Sequence, residues 1–258
     1  MKNTFYITTP IYYVNDKPHI GHAYTTILAD VLTRFYQNMN IETFFLTGLD
    51  EHGQKVQQAA SDRCVSPQKH CDEMAPRFTQ LWKKLHISND DFIRTTEERH
   101  KNVVKKILQL VYDSGDIYED EYEGLYSVSE ERFITEKEAK NGEFRDIKKI
   151  KEKNYFFKMG SYQQRLVDHI KTNKKFIQPE HRKNEILGFL NKPLDDLCIS
   201  RPKSRLNWGI EIPFDKNYVT YVWFDALINY ITASGFGSDQ SLFKKWWPAS
   251  YHLIGKDI

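Results

Sequence analysis

The chain has 258 residues, a formal net charge of +2 and 40% hydrophobic residues, and its aromatic share is 14%. That composition excludes a disordered chain, and the length suits one large domain or two modest ones. No apolar run reaches the ~20 residues of a membrane-spanning helix, so no membrane partner is expected.

Three cysteines, Cys64, Cys71 and Cys198, have no paired spacing, which points to a reducing compartment and a cytoplasmic location. Met1-Lys2-Asn3-Thr4 runs straight into a strand pattern, so no signal peptide is expected. The small net charge neither demands nor excludes a nucleic-acid partner.

Phe5-Tyr6-Ile7-Thr8 reads as a buried strand, aromatic and β-branched. Pro10, Asn15-Asp16 and Pro18 then interrupt regular structure. From Ala23 the period becomes helical, with Ile27, Val31 and Phe35 on one stripe and Leu28 and Leu32 beside it. His19-Ile20-Gly21-His22 therefore sits where the helix starts. A helix N-terminus offers unpaired N–H groups and favours phosphate. Two neutral imidazoles there can donate hydrogen bonds without a permanent charge, and Gly21 lets a flat base lie close to the backbone. The same four residues also suit an H-x-x-H metal pair, or two histidines merely packed or exposed at a helix start.

Residues 42–47 read as a second strand, completing a βαβ unit. Its end carries Gly48-Leu49-Asp50-Glu51-His52-Gly53, and ligands of open parallel sheets bind beyond the carboxyl ends of strands. Asp50-Glu51-His52 and the histidine pair are thus expected to face one crevice, the alternative being a polar surface loop. Ser66-Pro67 opens a helix that runs to Leu85, with Pro76 as a kink or break. Thr95 and Glu98 form a capping-box pattern for a helix carrying Val103, Val104, Ile107, Leu108 and Val111, which ends near Ser114-Gly115.

Residues 116–124 are acidic and aromatic, and 137–158 strongly basic, with neither showing a core pattern. Residues from about 114 to 218 read as an inserted, more exposed domain. The lysine run is either a solvated face or an RNA or partner contact. Residues 218–223 read as strand, Asp225 to Thr232 as helix, and 251–255 as another buried strand.

Taken together, PIYYVNDKPHIGH (10–22), GLDEHG (48–53), LYSVSEERFITEKE (125–138), NYFFKM (154–159), ISRPKSR (199–205), WGI (208–210), YVWFDALINY (221–230) and HLIGKDI (252–258) resemble class I aminoacyl-tRNA synthetases. They are similar in particular to the bacterial and organellar methionyl branch with a single-knuckle insertion. The blocks follow family order and cover nearly the whole chain. The resemblance implies an α/β fold, a doubly wound parallel sheet of the Rossmann-like synthetase type, interrupted by a connective-peptide insertion. The expected divisions are 1–113 and 219–258 for the catalytic domain and 114–218 for the insertion.

The implied reaction joins L-methionine to ATP, carried with Mg2+, and transfers the aminoacyl group to tRNA. It makes His19 and His22 phosphate donors, with Gly21, Gly255 and Asp257 completing the ATP site. Asp50 would hold the methionine ammonium, and Ile11, Tyr13, Trp223, Ala226, Tyr230 and Ile258 would line an apolar pocket. Arg201 matches a family arginine near the reacting carboxylate.

Two departures stand out. A Cys-x-x-Cys pair common in the knuckle is replaced by Ser127-Val128-Ser129-Glu130, so no structural zinc is expected. The family's Lys-Met-Ser-Lys-Ser loop and anticodon-binding helices do not occur within 1–258, so the chain reads as a truncated, catalytically incomplete piece. Competing readings are a smaller histidine-signature nucleotidyltransferase, which would lack the insertion, and a leucine, valine or isoleucine synthetase, which would not match residues 221–230. A non-catalytic RNA- or partner-binding paralogue would lose His19, His22 or Asp50, and all three are present.

Overall fold

The computed structural model describes residues 3–127, 132–134, 139–140 and 146–255. Its strands in chain order are β1 (Thr4–Tyr13), β2 (Glu42–Asp50), β3 (Asp91–Arg94), β4 (Ile117–Ser127), β5 (Arg132–Ile134), β6 (Ile147–Phe157), β7 (Leu197–Cys198), β8 (Ser200–Pro202), β9 (Glu211–Ile212), β10 (Asp215–Thr220) and β11 (Tyr251–His252). The helices are α1 (Ile20–Asn38), α2 (Gln54–Asp62), α3 (Pro67–Lys84), α4 (Glu98–Asp113), α5 (Gln163–Thr172), α6 (Glu180–Phe189), α7 (Val222–Leu227), α8 (Asn229–Ala233) and α9 (Gln240–Trp246). Two compact units emerge, Met1–Leu108 with Pro202–Ile258, and Gln109–Arg201. The insertion read over 114–218 thus corresponds to 109–201, and residues 202–218 belong to the first unit.

In the first unit, β11, β1, β2 and β3 lie side by side in that order, all parallel. β1 buries six consecutive residues and β2 five, the continuous pattern of strands covered on both faces. Between β1 and β11 the strand order reverses, the point at which doubly wound sheets bind ligands. Gly48 lets β2 approach β3, since a Cβ there would stand 2.1 Å from the Ile93 carbonyl oxygen. One side of the sheet packs Tyr12, Val14 and Leu49 against Cys71, Met74, Phe78 and Trp82 of α3. Each such buried side chain contributes roughly 1.5–3 kcal/mol.

Several elements depart from their sequence signals. The stripe of Ile27, Leu28, Val31 and Phe35 is exposed, Leu32 is half-buried, and α1 instead buries Thr26, Ala29, Asp30 and Thr33. This polar face is compatible with burial because each group is satisfied. Thr26 and Thr33 donate to the carbonyls of His22 and Ala29, and Asp30 accepts from Ser88 N, Ser88 Oγ and Arg34 Nε. Helix α3 accommodates Pro76 without splitting, capped by Ser66 Oγ accepting from Lys69 N. Thr95 accepts from Glu51 N, which ties the chain after β3 to the chain after β2. The strand read at 218–223 ends at Thr220, and Val222 begins α7. The strand read at 251–255 spans two exposed residues at the edge of the described sheet.

The second unit is a sheet in the order β5, β4, β6, β7, antiparallel throughout. Pairing of β4 with β6 sets the acidic run against the basic one, Glu121 opposite Lys153 and Glu123 opposite Lys151. Lys149 reaches Glu123 at 2.7 Å and Lys151 reaches Glu121 at 3.3 Å. The lysine run is thus partly neutralised across the hairpin. Tyr126 and Phe156 are buried, Tyr155 is half-buried, and Asn154 accepts from Ser200 Oγ at 3.0 Å. Phe144 and the Phe133 side chain lie outside the described residues, as do Val128, Ser129 and Glu130.

Among the described residues no group of three His, Cys, Asp or Glu side chains could hold a metal ion. Purified tag-free chain is expected to contain zinc well below stoichiometry by elemental analysis. About one zinc per chain, the content of a four-ligand structural site, would contradict this.

Candidate functional site

The start of α1 is closed by its own histidines. His19 is the N-cap, extended at φ −126° and ψ 177°, and its Nδ1 accepts the Gly21 N–H at 3.1 Å. His22 Nδ1 in turn accepts the His19 N–H at 3.2 Å, giving a reciprocal capping box built from two imidazoles. Both Nδ1 atoms are acceptors, so in the neutral rings the hydrogen is assigned to Nε2. The rings stack with centroids 3.7 Å apart. They present two Nε2–H donors beside the remaining backbone N–H groups of a 19-residue helix. Gly21 serves this arrangement directly. A Cβ there would lie 2.9 Å from His19 Cε1 and push the ring off its cap.

Tyr12 joins this pair to the sheet. Its ring lies 4.5 Å from the His22 ring, and its hydroxyl donates to the His22 carbonyl at 3.2 Å. Its neighbour Tyr13 is the register partner of Asp50 at the carboxyl ends of β1 and β2. Asp50 and Tyr13 are half-buried, and Ile11 packs against the cluster that contains Tyr6, Leu46 and Tyr230. The Tyr230 carbonyl accepts from Tyr6 Oη at 2.8 Å. Burial pushes the Tyr230 phenol up to about 12, and the Asp50 charge adds to that shift. Ala226 is buried, whereas Trp223 keeps 39% of its surface exposed.

Of the residues expected at the site, the structure therefore gathers His19, Gly21, His22, Ile11, Tyr13, Asp50 and Tyr230 around the carboxyl ends of β1 and β2. Gly255 is exposed, with no atom of the described residues within 4 Å of where a Cβ would stand, and Asp257 and Ile258 lie outside the described residues. Arg201 belongs to the second unit, where its Nη1 donates to the Ser200 carbonyl at 2.7 Å and its guanidinium lies over the Tyr126 ring.

The expectation that Asp50, Glu51 and His52 all face a crevice fails for Glu51 and His52, whereas Asp50 is half-buried at the end of β2. Glu51 is fully buried, bonded by Arg94 Nε at 2.7 Å and by the Thr96 hydroxyl. His52 is buried too, and its Nδ1 meets Asp225 Oδ2 at 2.7 Å. The other Asp225 oxygen meets His100 Nε2, also at 2.7 Å. His100 Nδ1 is buried and has no partner among the described residues, which assigns the ring hydrogen to Nε2. Burial alone would raise the Asp225 carboxyl, but the His52 ring and both hydrogen bonds outweigh it and hold the group below its ordinary value. Reading the sequence did not find this trio. Its one signal was a carboxylate set among apolar residues in Val222-Trp223-Phe224-Asp225-Ala226.

Burial, and then the neighbouring His19, lower the His22 imidazole to about 4. The unfolded chain binds this proton more readily, so the stability linked to His22 declines as pH falls from ~6.5 through the folded value. Proton NMR of the His22 ring is expected to show a midpoint near 4. A midpoint near ~6.5, that of a free imidazole, would show that burial and His19 do not depress this ring.

The family profile described as tRNA synthetases class I (M) matches residues 5–144 and 142–258. Among curated relatives, the methionine--tRNA ligase of Fusobacterium nucleatum is 51% identical over 266 residues, and that of Bacillus subtilis 48% identical over 273 residues. The alignments take in 100% and 99% of this chain but 41% of each relative, so the chain spans about two-fifths of their length. A solved Mycobacterium tuberculosis methionyl-tRNA synthetase in complex with methionyl-adenylate superposes with a TM-score of 0.94 at 40% identity, over 100% of this chain and 52% of that one. A parallel sheet with its helix-capping histidines at the switch point and a profile match along its length place this chain in the class I tRNA synthetase family, methionine type.

Proposed function

We propose that the protein carrying this chain activates L-methionine with ATP to methionyl-adenylate and transfers the methionyl group to tRNA, acting in the cytoplasm. The observation that carries the reading is the pair of neutral imidazoles capping α1 beside the switch point of a parallel sheet. An in-line displacement at phosphorus needs no covalent catalyst. It needs donors placed where charge develops on the phosphate oxygens. His19 and His22 supply such donors through Nε2–H, next to the positive end of α1. Mg2+ belongs to this reading as the counter-ion of the triphosphate, held chiefly by phosphate oxygens.

On the amino-acid side, Asp50 is the carboxylate that meets the substrate ammonium. Ile11, Tyr13, Ala226 and Tyr230 supply apolar walls, with Trp223 exposed enough to move onto the thioether. Sulfur–aromatic contacts of this kind are worth ~0.3–1.5 kcal/mol each. Gly255 and Asp257 on the nucleotide side, Ile258 in the pocket and Arg201 at the carboxylate are carried by their place in the family motifs.

The deciding experiment is methionine-dependent exchange of pyrophosphate into ATP. The chain extended to the stop codon of its reading frame is expected to exchange robustly. Residues 1–258 alone are expected near background, because the lysine loop of the family lies outside them. Loss of even one preorganised donor commonly costs ~10²–10³ in rate. Equal, fast exchange by both would show that 1–258 holds a complete catalyst. No exchange by either, with RNA still bound, would replace the enzyme reading with the non-catalytic paralogue.

A second outcome concerns Asp50. Asp50→Ala is expected to weaken methionine binding by roughly 1.5–3 kcal/mol, the scale of a hydrogen bond to a charged group. Calorimetric titration giving an unchanged affinity would assign the ammonium to another residue.

A further inference from the structure

Resting on the proposed methionine activation, we infer that Asp225 is a positioning residue that fixes the wall of the amino-acid pocket relative to the ammonium anchor. The placement is specific. His52 follows Asp50 by two residues, and Asp225 directly precedes Ala226. The 2.7 Å bond between His52 and Asp225 therefore joins the backbone of the anchor to the backbone of the wall. The 2.7 Å bond from His100 ties the same carboxylate to α4. All three side chains are buried, so water does not compete for these bonds.

Helix α7 needs such ties. It has six residues, too few for stability of its own. A carboxylate held from two elements fixes both the position and the rotation of a short helix. The continuation into α8 then carries Tyr230. An apolar substrate side chain offers no polar handle, so selection among similar amino acids depends on where the walls stand. Dispersion is steep enough that a gap of ~0.5–1 Å forfeits a quarter to a half of a contact. A carboxylate that sets the distance from Asp50 to Ala226 and Tyr230 thereby sets the length of side chain that fits.

The test uses the full-length protein in pyrophosphate exchange, with methionine and with ethionine, which is one methylene longer. Variants are Asp225→Asn, Asp225→Ala, His52→Gln and His100→Gln, with Asp30→Asn as a control at a buried carboxylate elsewhere on the same unit. Asp225→Ala is expected to raise the methionine KM about 10- to 100-fold, the scale of misplacing a positioned group. The ATP KM should stay within about twofold, because only one half of the site moves. The preference for methionine over ethionine should shrink in parallel. Asp225→Asn and the glutamine variants, which keep hydrogen-bonding groups, should retain part of the wild-type KM. Asp30→Asn should lower the melting temperature and leave both KM values in place.

Folded Asp225 variants with an unchanged methionine KM, with both KM values raised together, or with an unaltered ethionine ratio would overturn the inference. If Asp225→Ala does not fold, the same readouts on Asp225→Asn decide, since that change removes the charge on which both imidazole bonds converge while keeping the side chain's shape. A wild-type protein without methionine-dependent exchange overturns the functional reading itself. Active wild type with unmoved variants overturns only the role of Asp225.

Discussion

A parallel sheet covered on both faces leaves its polar chemistry few places to go, and this constraint orders the first unit. Within the buried middle of β1 and β2, Thr8, Thr9 and Thr47 spend their hydroxyls on neighbours inside the fold. Thr9 Oγ1 lies 2.8 Å from Thr47 Oγ1, and Thr8 Oγ1 lies 2.8 Å from Nδ1 of His252, its register partner on β11. Groups with capacity left over collect at the carboxyl ends, where the strands open toward loops and the N-terminus of α1. There the chain must satisfy a helix start, and it does so with side chains that retain a second nitrogen for another partner. The capping of α1 and the readiness of the site are one arrangement of atoms.

That arrangement was largely legible in the sequence. The change from strand period to helix period is enough to place His19 and His22 at a helix start, and α1 begins at Ile20. The stripe on α1 was legible as a helix but misleading about its buried face. Periodicity counts apolar side chains, and here threonine hydroxyls folded back onto their own helix make a polar face fit for burial. Glu51 and His52 were misplaced for a similar reason. A run of charged residues after a strand resembles a loop, and only their partners, distant in sequence, bury them. The division of the chain at 109 and 201 was approximate in the sequence because composition changes gradually at both ends, whereas compactness does not.

The second unit shows how charge runs mislead when each is read alone. Residues 116–124 and 137–158 look like separate acidic and basic stretches, yet the β4–β6 register sets 117–124 face to face with 150–157. Exposed pairs such as Lys149 with Glu123 add only ~0.2–1 kcal/mol each. Their larger effect is on the field around the hairpin, which carries neither sign strongly. What packs this unit is the aromatic set of Tyr126 and Phe156 with the buried Asn154 and Ser200 bridge.

The trio of His52, His100 and Asp225 also bears on when this protein can become itself. Asp225 is separated from His52 by 173 residues and from His100 by 125. Closing contacts of that separation carries a loop-entropy cost and makes such contacts late ones. During synthesis, at roughly 5–20 residues per second, β1, β2 and β3 exist for some time before their carboxylate arrives. Through that interval two imidazoles destined for burial must stay hydrated. The wall of the amino-acid pocket is therefore among the last features of the first unit that synthesis supplies, since Asp225 follows His52 and His100 by so many residues.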